Sequence, residues 1–207
     1  MRGVGIGGTD KHTEGTTEMA RIVVSENITL DGVVTDPTGE EGTGHGGWFT
    51  RMTDRDREAW AEVEYDEALR SDAVLIGRRS YEYFAPRWAD RSGEWADRFN
   101  GMPKYVLTST PGELTWNNCT AVSGDVPEVV AKLKQEVEGD IVVYASSRLV
   151  PALVQHDLVD ELRLLVFPVL AGTGAGLFAS LGAIRPLRLI GNRTIGENLL
   201  HLAYRPL

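Results

Sequence analysis

The residues of this chain best suited to chemistry stand where apolar runs end. Ala73-Val74-Leu75-Ile76 stops at Gly77-Arg78-Arg79-Ser80. Gly77 permits a tight exit from a strand, a helix starting there offers free N–H groups, and the two guanidiniums are forked donors that match phosphate oxygens. Each charge-assisted hydrogen bond of that kind contributes about 1.5–3 kcal/mol. The same residues also make an ordinary surface turn, with both arginines in water and Ser80 as a helix N-cap. A second run ends at Thr108-Ser109-Thr110, whose hydroxyls can reach a phosphate or a ribose and are equally common in plain turns. A third ends at Ala145-Ser146-Ser147-Arg148-Leu149, where small residues turn a strand into a helix that faces an anion or is merely capped by Ser146 or Ser147. Three such turns in one sheet carry more weight than any one of them.

Other candidates are fewer. Asp31 opens the long Gly-rich segment of residues 31–48 and is the expected catalytic, substrate-touching polar group, unless it only caps the turn with Gly32. Trp48 and Phe49, at the far end of that segment, are expected to form an apolar wall or lid for a substrate. His45 lies in the same segment and reads as solvated. No pair of the four histidines has metal-ligand spacing, and the single Cys119 has no second thiol, so no metal site is expected. Gly3, Gly5 and Gly8 match a dinucleotide-binding fingerprint literally, but no strand precedes them and no helix follows.

These residues need a scaffold. The 207 residues, 42% hydrophobic, suffice for one compact domain. The formal charge of −9 opposes sequence-independent binding to nucleic acid or anionic membrane, so any phosphate-bearing partner is held locally. With no membrane-length apolar run, no signal-peptide core and one cysteine, the protein is expected to be cytoplasmic. Residues 1–20 read as a disordered leader, and residues 21–207 as a single domain. Strand-like and helix-like segments then alternate: a strand over 20–30, a helix from N-cap Thr53 over 53–70, the strand before Gly77, a strand over 104–110, and a helix over 125–137 with Asp125 and Glu128 at capping-box spacing. A strand over 140–145, a short helix interrupted near Pro151 and a strand over 160–171 follow. Two final strands join around Gly196. This order predicts an α/β fold of three layers, α/β/α, with a mainly parallel central sheet and an antiparallel C-terminal hairpin. In such a sheet, ligands collect at the carboxyl ends of the strands.

From about Arg21 to Pro206 the chain resembles the dihydrofolate reductase superfamily, most closely its branch containing the reductase domain of bacterial riboflavin biosynthesis. The matching pieces are ITLDG at 28–32, GRRSYE at 77–82, YVLTST at 105–110, LVDELRLLVFPVLAGTGAGLF at 158–178, and the terminal hairpin. The resemblance implies an NADPH-dependent reductase. It gives Gly77, Arg78, Arg79 and Ser80 the 2′-phosphate side of the cofactor, Thr108 and Ser109 the adenosine side, and residues 145–149 the pyrophosphate turn. Gly172 and Gly174, in a strand-exit loop, fall near the cofactor by the same resemblance. A homodimer is also implied, with surfaces around residues 160–170 as candidates. Two departures stand out: Ala145 occupies a place the family gives to glycine, and spacing from Gly77 puts Ala61 where the folate enzymes carry a carboxylate, with Glu58, Glu62 and Glu64 close by. Folate reduction is therefore not expected. The expected reaction is hydride transfer to a small polar or planar substrate with a C=N, C=O or activated C=C bond. The alternative is a non-catalytic small-molecule or nucleotide-binding protein on the same fold.

Overall fold

The computed structural model describes residues 19–110 and 112–207. The expected leader lies outside the described residues up to residue 18, as do Gly3, Gly5 and Gly8. Its last two positions are already part of the fold, since Met19 bridges to Glu138 and Ala20 is buried.

Eight strands form one sheet: β1 (Arg21–Thr29), β2 (Ser71–Gly77), β3 (Lys104–Leu107), β4 (Cys119–Val122), β5 (Asp140–Tyr144), β6 (Glu161–Phe167), β7 (Leu187–Ile195) and β8 (Leu199–Pro206), in the order β4-β3-β2-β5-β1-β6-β8-β7. Pairing is parallel from β4 through β6, and β8 and β7 add as an antiparallel hairpin. Five helices cover the sheet: α1 (Asp54–Arg70), α2 (Arg78–Trp88), α3 (Glu94–Gly101), α4 (Val126–Glu136) and α5 (Leu149–Gln155). The α/β class and its antiparallel C-terminal hairpin are as the segment order predicts. Ile22, Val24, Ile141 and Val143 pack under α4 and α5 through Val130, Leu133 and Leu153. A second core joins Val74, Ile76 and Val106 to Tyr81, Phe99 and Trp116. Strands buried on both faces in this way must read as continuous apolar runs, and β2 and β5 do.

Local details differ from the sequence reading. Thr53 caps α1 as expected, accepting from the Asp56 N–H at 3.1 Å. Asp125 precedes α4, but its side chain makes no cap bond. Pro151 falls in the first turn of α5, where its missing N–H is not needed, so the helix is not interrupted. β4 and α3 have too short or too mixed a pattern to stand out. β6, the strand expected at a dimer contact, is paired on both sides by β1 and β8, so a second copy reaches it only across a sheet face.

The segment of residues 31–48 folds on itself around Asp36. That carboxylate accepts from the N–H groups of Glu41 and Thr43 and from the Thr43 hydroxyl, while its backbone oxygen accepts from Gly39 and Gly47. Trp48 closes the segment: it is 1% exposed, meets Phe167 edge to face at 5.2 Å, and donates from Nε1 to the Thr35 carbonyl. His45 is not simply solvated; its ring bridges Thr35 and Thr173 at 3.2 and 3.3 Å. No helix among the described residues is long and apolar enough to cross a membrane.

Candidate functional site

A cleft of about 960 Å³ opens along the carboxyl ends of β1, β2, β3 and β5. This is where an open, mainly parallel sheet leaves room between its loops and helix starts. It brings together two of the three predicted turns: Gly77, Arg78, Arg79 and Ser80 on one side, and Ala145, Ser146, Ser147, Arg148 and Leu149 on the other. Trp48 and Phe49 form part of its wall. Trp60, Trp88 and Trp95 continue that wall, with Phe49 and Trp60 at 4.9 Å and Trp88 and Trp95 at 5.0 Å between ring centres.

The two turns are bolted to each other. Gly77, not Ser80, stands at the N-cap of α2, and the Ser80 hydroxyl instead donates to the Ala145 carbonyl at 2.6 Å. The Ser146 hydroxyl donates to the Tyr144 carbonyl and accepts from the Gly77 N–H at 3.2 Å. Neither Ser146 nor Ser147 caps α5 through its side chain. Ala145 has φ +45°, the left-handed region that L-residues enter at a cost of about 1–2 kcal/mol. The turn therefore has the backbone of a glycine with an alanine in it. Ala145→Gly is expected to raise stability by about 1 kcal/mol. Denaturant midpoints at unchanged m-value check this, and a lower midpoint refutes it.

The electrostatics favour an anion. Arg57, Arg78, Arg79, Arg87, Arg91 and Arg148 all line the cleft of a chain whose formal charge is −9. Arg78 pairs with Glu82 through Nε at 2.8 Å, yet its Nη1 is buried with no hydrogen-bond partner among the described residues. A buried guanidinium donor left unpaired costs free energy that an incoming oxygen would recover. Arg79 and Arg148 are exposed at the rim.

Other predicted residues stand elsewhere. Asp31 is exposed and is not part of the cleft wall: its oxygens accept from the Thr29 hydroxyl at 2.7 Å and from the N–H groups of Ala171 and Gly172 at 3.1 and 2.7 Å. Those three bonds, the Thr29 hydroxyl first, hold its pKa down at about 2. It is a fixed, ionised brace between two loops, outside the lining of the cleft. Gly172 and Gly174 also stand outside that lining. The N–H of Gly172 is taken by Asp31, and Gly174, at φ +119°, sits so close to Val33, Thr35 and His45 that no side chain fits there. Thr108 is buried in a turn it makes with Thr110, at 3.1 Å in both directions, and Ser109 is exposed; only their neighbour Leu107 reaches the cleft.

Sequence reading named Glu64 only as a neighbour of the folate carboxylate position, and it missed Glu26 altogether. Glu26 on β1 and Glu64 on α1 line the cleft, and both are buried. Burial lifts Glu26 to about 8, against the lowering effect of the Ser146 N–H. Burial also lifts Glu64 well above the usual range, helped by Glu67 and Glu26. The available signal was Ser25-Glu26-Asn27, three polar residues inside an otherwise apolar strand. Among the described residues no three His, Cys, Asp or Glu side chains are grouped to hold a metal ion.

Residues 20–201 match the model of the RibD C-terminal domain. The chain is 27% identical over 191 residues to the uncharacterized protein YyaP of Bacillus subtilis, covering 89% of this chain and 94% of that one. Among solved structures it is similar to the diaminohydroxyphosphoribosylaminopyrimidine deaminase/5-amino-6-(5-phosphoribosylamino)uracil reductase of Thermotoga maritima, with TM-score 0.62 and 15% identity over 91% of this chain and 57% of that chain. It is also similar to the dihydrofolate reductase of Enterococcus faecalis complexed with NADP(H), with TM-score 0.57 and 14% identity over 90% of this chain and 96% of the other. At these identities the two structures speak to the fold.

Proposed function

The chain belongs to the RibD C-terminal domain family, and from that premise we propose that it is an NADPH-dependent reductase acting on a small polar or planar substrate. The observation that carries the reading is Arg78, which lines the cleft at a helix-starting turn and whose buried Nη1 has no hydrogen-bond partner among the described residues. Arg78 and Arg79 would hold the 2′-phosphate. The Ser146-to-Leu149 turn, locked to Gly77 and Ser80, would hold the pyrophosphate. NADPH, when bound, supplies a hydride. The protein's own part is to bind, orient and keep water away. Trp48, Phe49 and Trp60 give the substrate end an apolar, aromatic wall that suits a planar ring.

The test is direct binding. NADPH added to the protein is expected to change the fluorescence of its five tryptophans, three of which line the cleft beside Trp48, and to bind at least tenfold more tightly than NADH. Equal affinity for the two nucleotides, or none, removes the reading. A C=N, C=O or activated C=C compound that oxidises NADPH in the presence of the protein would then identify the substrate class.

A further inference from the structure

Glu26 stands in a strand where a charge has no obvious place. Its neighbours Ile22, Val23, Val24 and Ile28 are buried, and β1 is paired on both sides. A carboxylate in such a setting needs a cation or must be neutral. Glu26 is 5% exposed and has no ion-pair partner among the described residues; its one hydrogen bond is from the Ser146 N–H to Oε1, at 3.0 Å. Oε2 has no hydrogen-bond partner there, and Glu26 lines the cleft beside Asn27 and Glu64.

We propose, resting on the reductase reading above, that Glu26 is the proton donor of this site, carrying on Oε2 the proton that accompanies hydride transfer. A substrate double bond that accepts hydride at one end gains an electron pair at the other. C=X, hydride and the Oε2 proton together give HC–XH and the Glu26 carboxylate, while the reduced nicotinamide is oxidised. The carboxylate then regains its proton from water. Ser146 ties this acid to the nucleotide turn, because the same residue holds Glu26 through its N–H and Gly77 through its hydroxyl. The acid and the cofactor cradle are thus positioned by one residue.

Burial keeps the Glu26 proton in place at neutral pH. Glu64 on α1 couples to Glu26, whereas Glu67, Tyr144 and Arg163 gather with Ser25 on the opposite face of β1, since successive strand residues point to opposite faces. Arg163 is engaged by Glu67 at 3.4 Å and Glu161 at 2.8 Å, and Tyr144 is pushed far upward by burial and remains neutral. A charge on Glu26 raises Glu64 further, so ionising either carboxyl holds the proton more firmly on the other.

Infrared difference spectra of the wild-type protein between pH 6 and pH 10, with Glu26→Gln and Glu64→Gln, test the assignment. The expected result is a protonated-carboxyl band at pH 7 that titrates near pH 8, is absent from Glu26→Gln and persists in Glu64→Gln. NADPH binding read by tryptophan fluorescence is the second arm. Ionisation of Glu26 beside a polyanion is expected to weaken wild-type affinity about fivefold to tenfold between pH 7 and 9.5, within the tenfold per pH unit that one linked proton allows, and Glu26→Gln is expected to flatten that dependence. Normal NADPH binding by a wild type whose Glu26 is already ionised at pH 7 overturns the assignment and leaves the reductase reading standing. Equal pH dependence in Glu26→Gln overturns it as well. Failure of the wild type to bind NADPH at any pH overturns the reductase reading itself. The wild-type titration stands even if Glu26→Gln does not fold.

Discussion

Arg78→Ala is expected to weaken NADPH binding by about tenfold to a hundredfold, and to leave NADH binding nearly unchanged. The size follows from one or two charge-assisted hydrogen bonds at about 1.5–3 kcal/mol each. It survives the overall charge of −9 because surface repulsion is screened over about 8 Å at physiological salt, whereas a guanidinium in a cleft acts at contact. Arg78→Lys should recover only part of the loss, since an ammonium cannot make the two parallel bonds of the planar fork. Titration of both nucleotides into wild type and the two variants decides the matter. A parallel loss of NADH affinity in Arg78→Ala would mean that the side chain shapes the turn instead of meeting a phosphate.

Asp56→Ala carries the largest expected effect on stability. The Asp56 carboxylate, 2% exposed near the start of α1, accepts from the N–H groups of Glu197 and Asn198 at 2.6 and 3.0 Å and from the Asn198 side chain at 2.8 Å. It thereby fixes the β7–β8 turn, in which Gly196 has φ +60° and no room for a side chain against Asp56. Removing it strands several donors at once, and a loss of about 2–4 kcal/mol is expected from chemical denaturation. Burial alone would raise the Asp56 pKa, but the Asn198 side chain and the Glu197 and Asn198 amides outweigh it and bring the value to about 2. A depressed carboxyl pKa stabilises the fold above its unfolded value. That stability is present above about pH 4, is lost as pH falls towards about 2, and is absent throughout from Asp56→Ala. Superimposable acid-unfolding curves for the two proteins would refute the clamp.

Much of the fold was legible because its strands are short, apolar and separated by helices with clear starts. Thr53 before an acidic turn, Gly77 at a strand end and Gly196 between two strands each act locally, and local signals survive in sequence. The turns at 77–80 and 145–149 were legible for the same reason. Their mutual locking through Ser80 and Ser146 was not, since 65 residues separate Ser80 from Ala145. The Asp31 brace was not legible, because an aspartate at a loop start looks the same whether it faces a ligand or holds Ala171 and Gly172 from 140 residues away. α1 was the reverse case. By amphipathic patterning its glutamates belong in water, yet Glu64 and Glu67 are buried while Leu69 is 51% exposed, because the helix turns its acidic side towards the cleft and Arg163. Amphipathic patterning assumes that polar residues seek water. It fails where a helix lines a site.

The Asp36 knot bears on when the cleft acquires its shape. A glycine-rich stretch of this length has a large choice of conformations in the unfolded chain, and closing it around one carboxylate gives up that freedom during folding. The wall at Trp48 is then in place before any guest arrives, so association need not include the entropy of arranging it. A change at Asp36 is accordingly expected to be felt as a less stable molecule before it is felt as a poorer host.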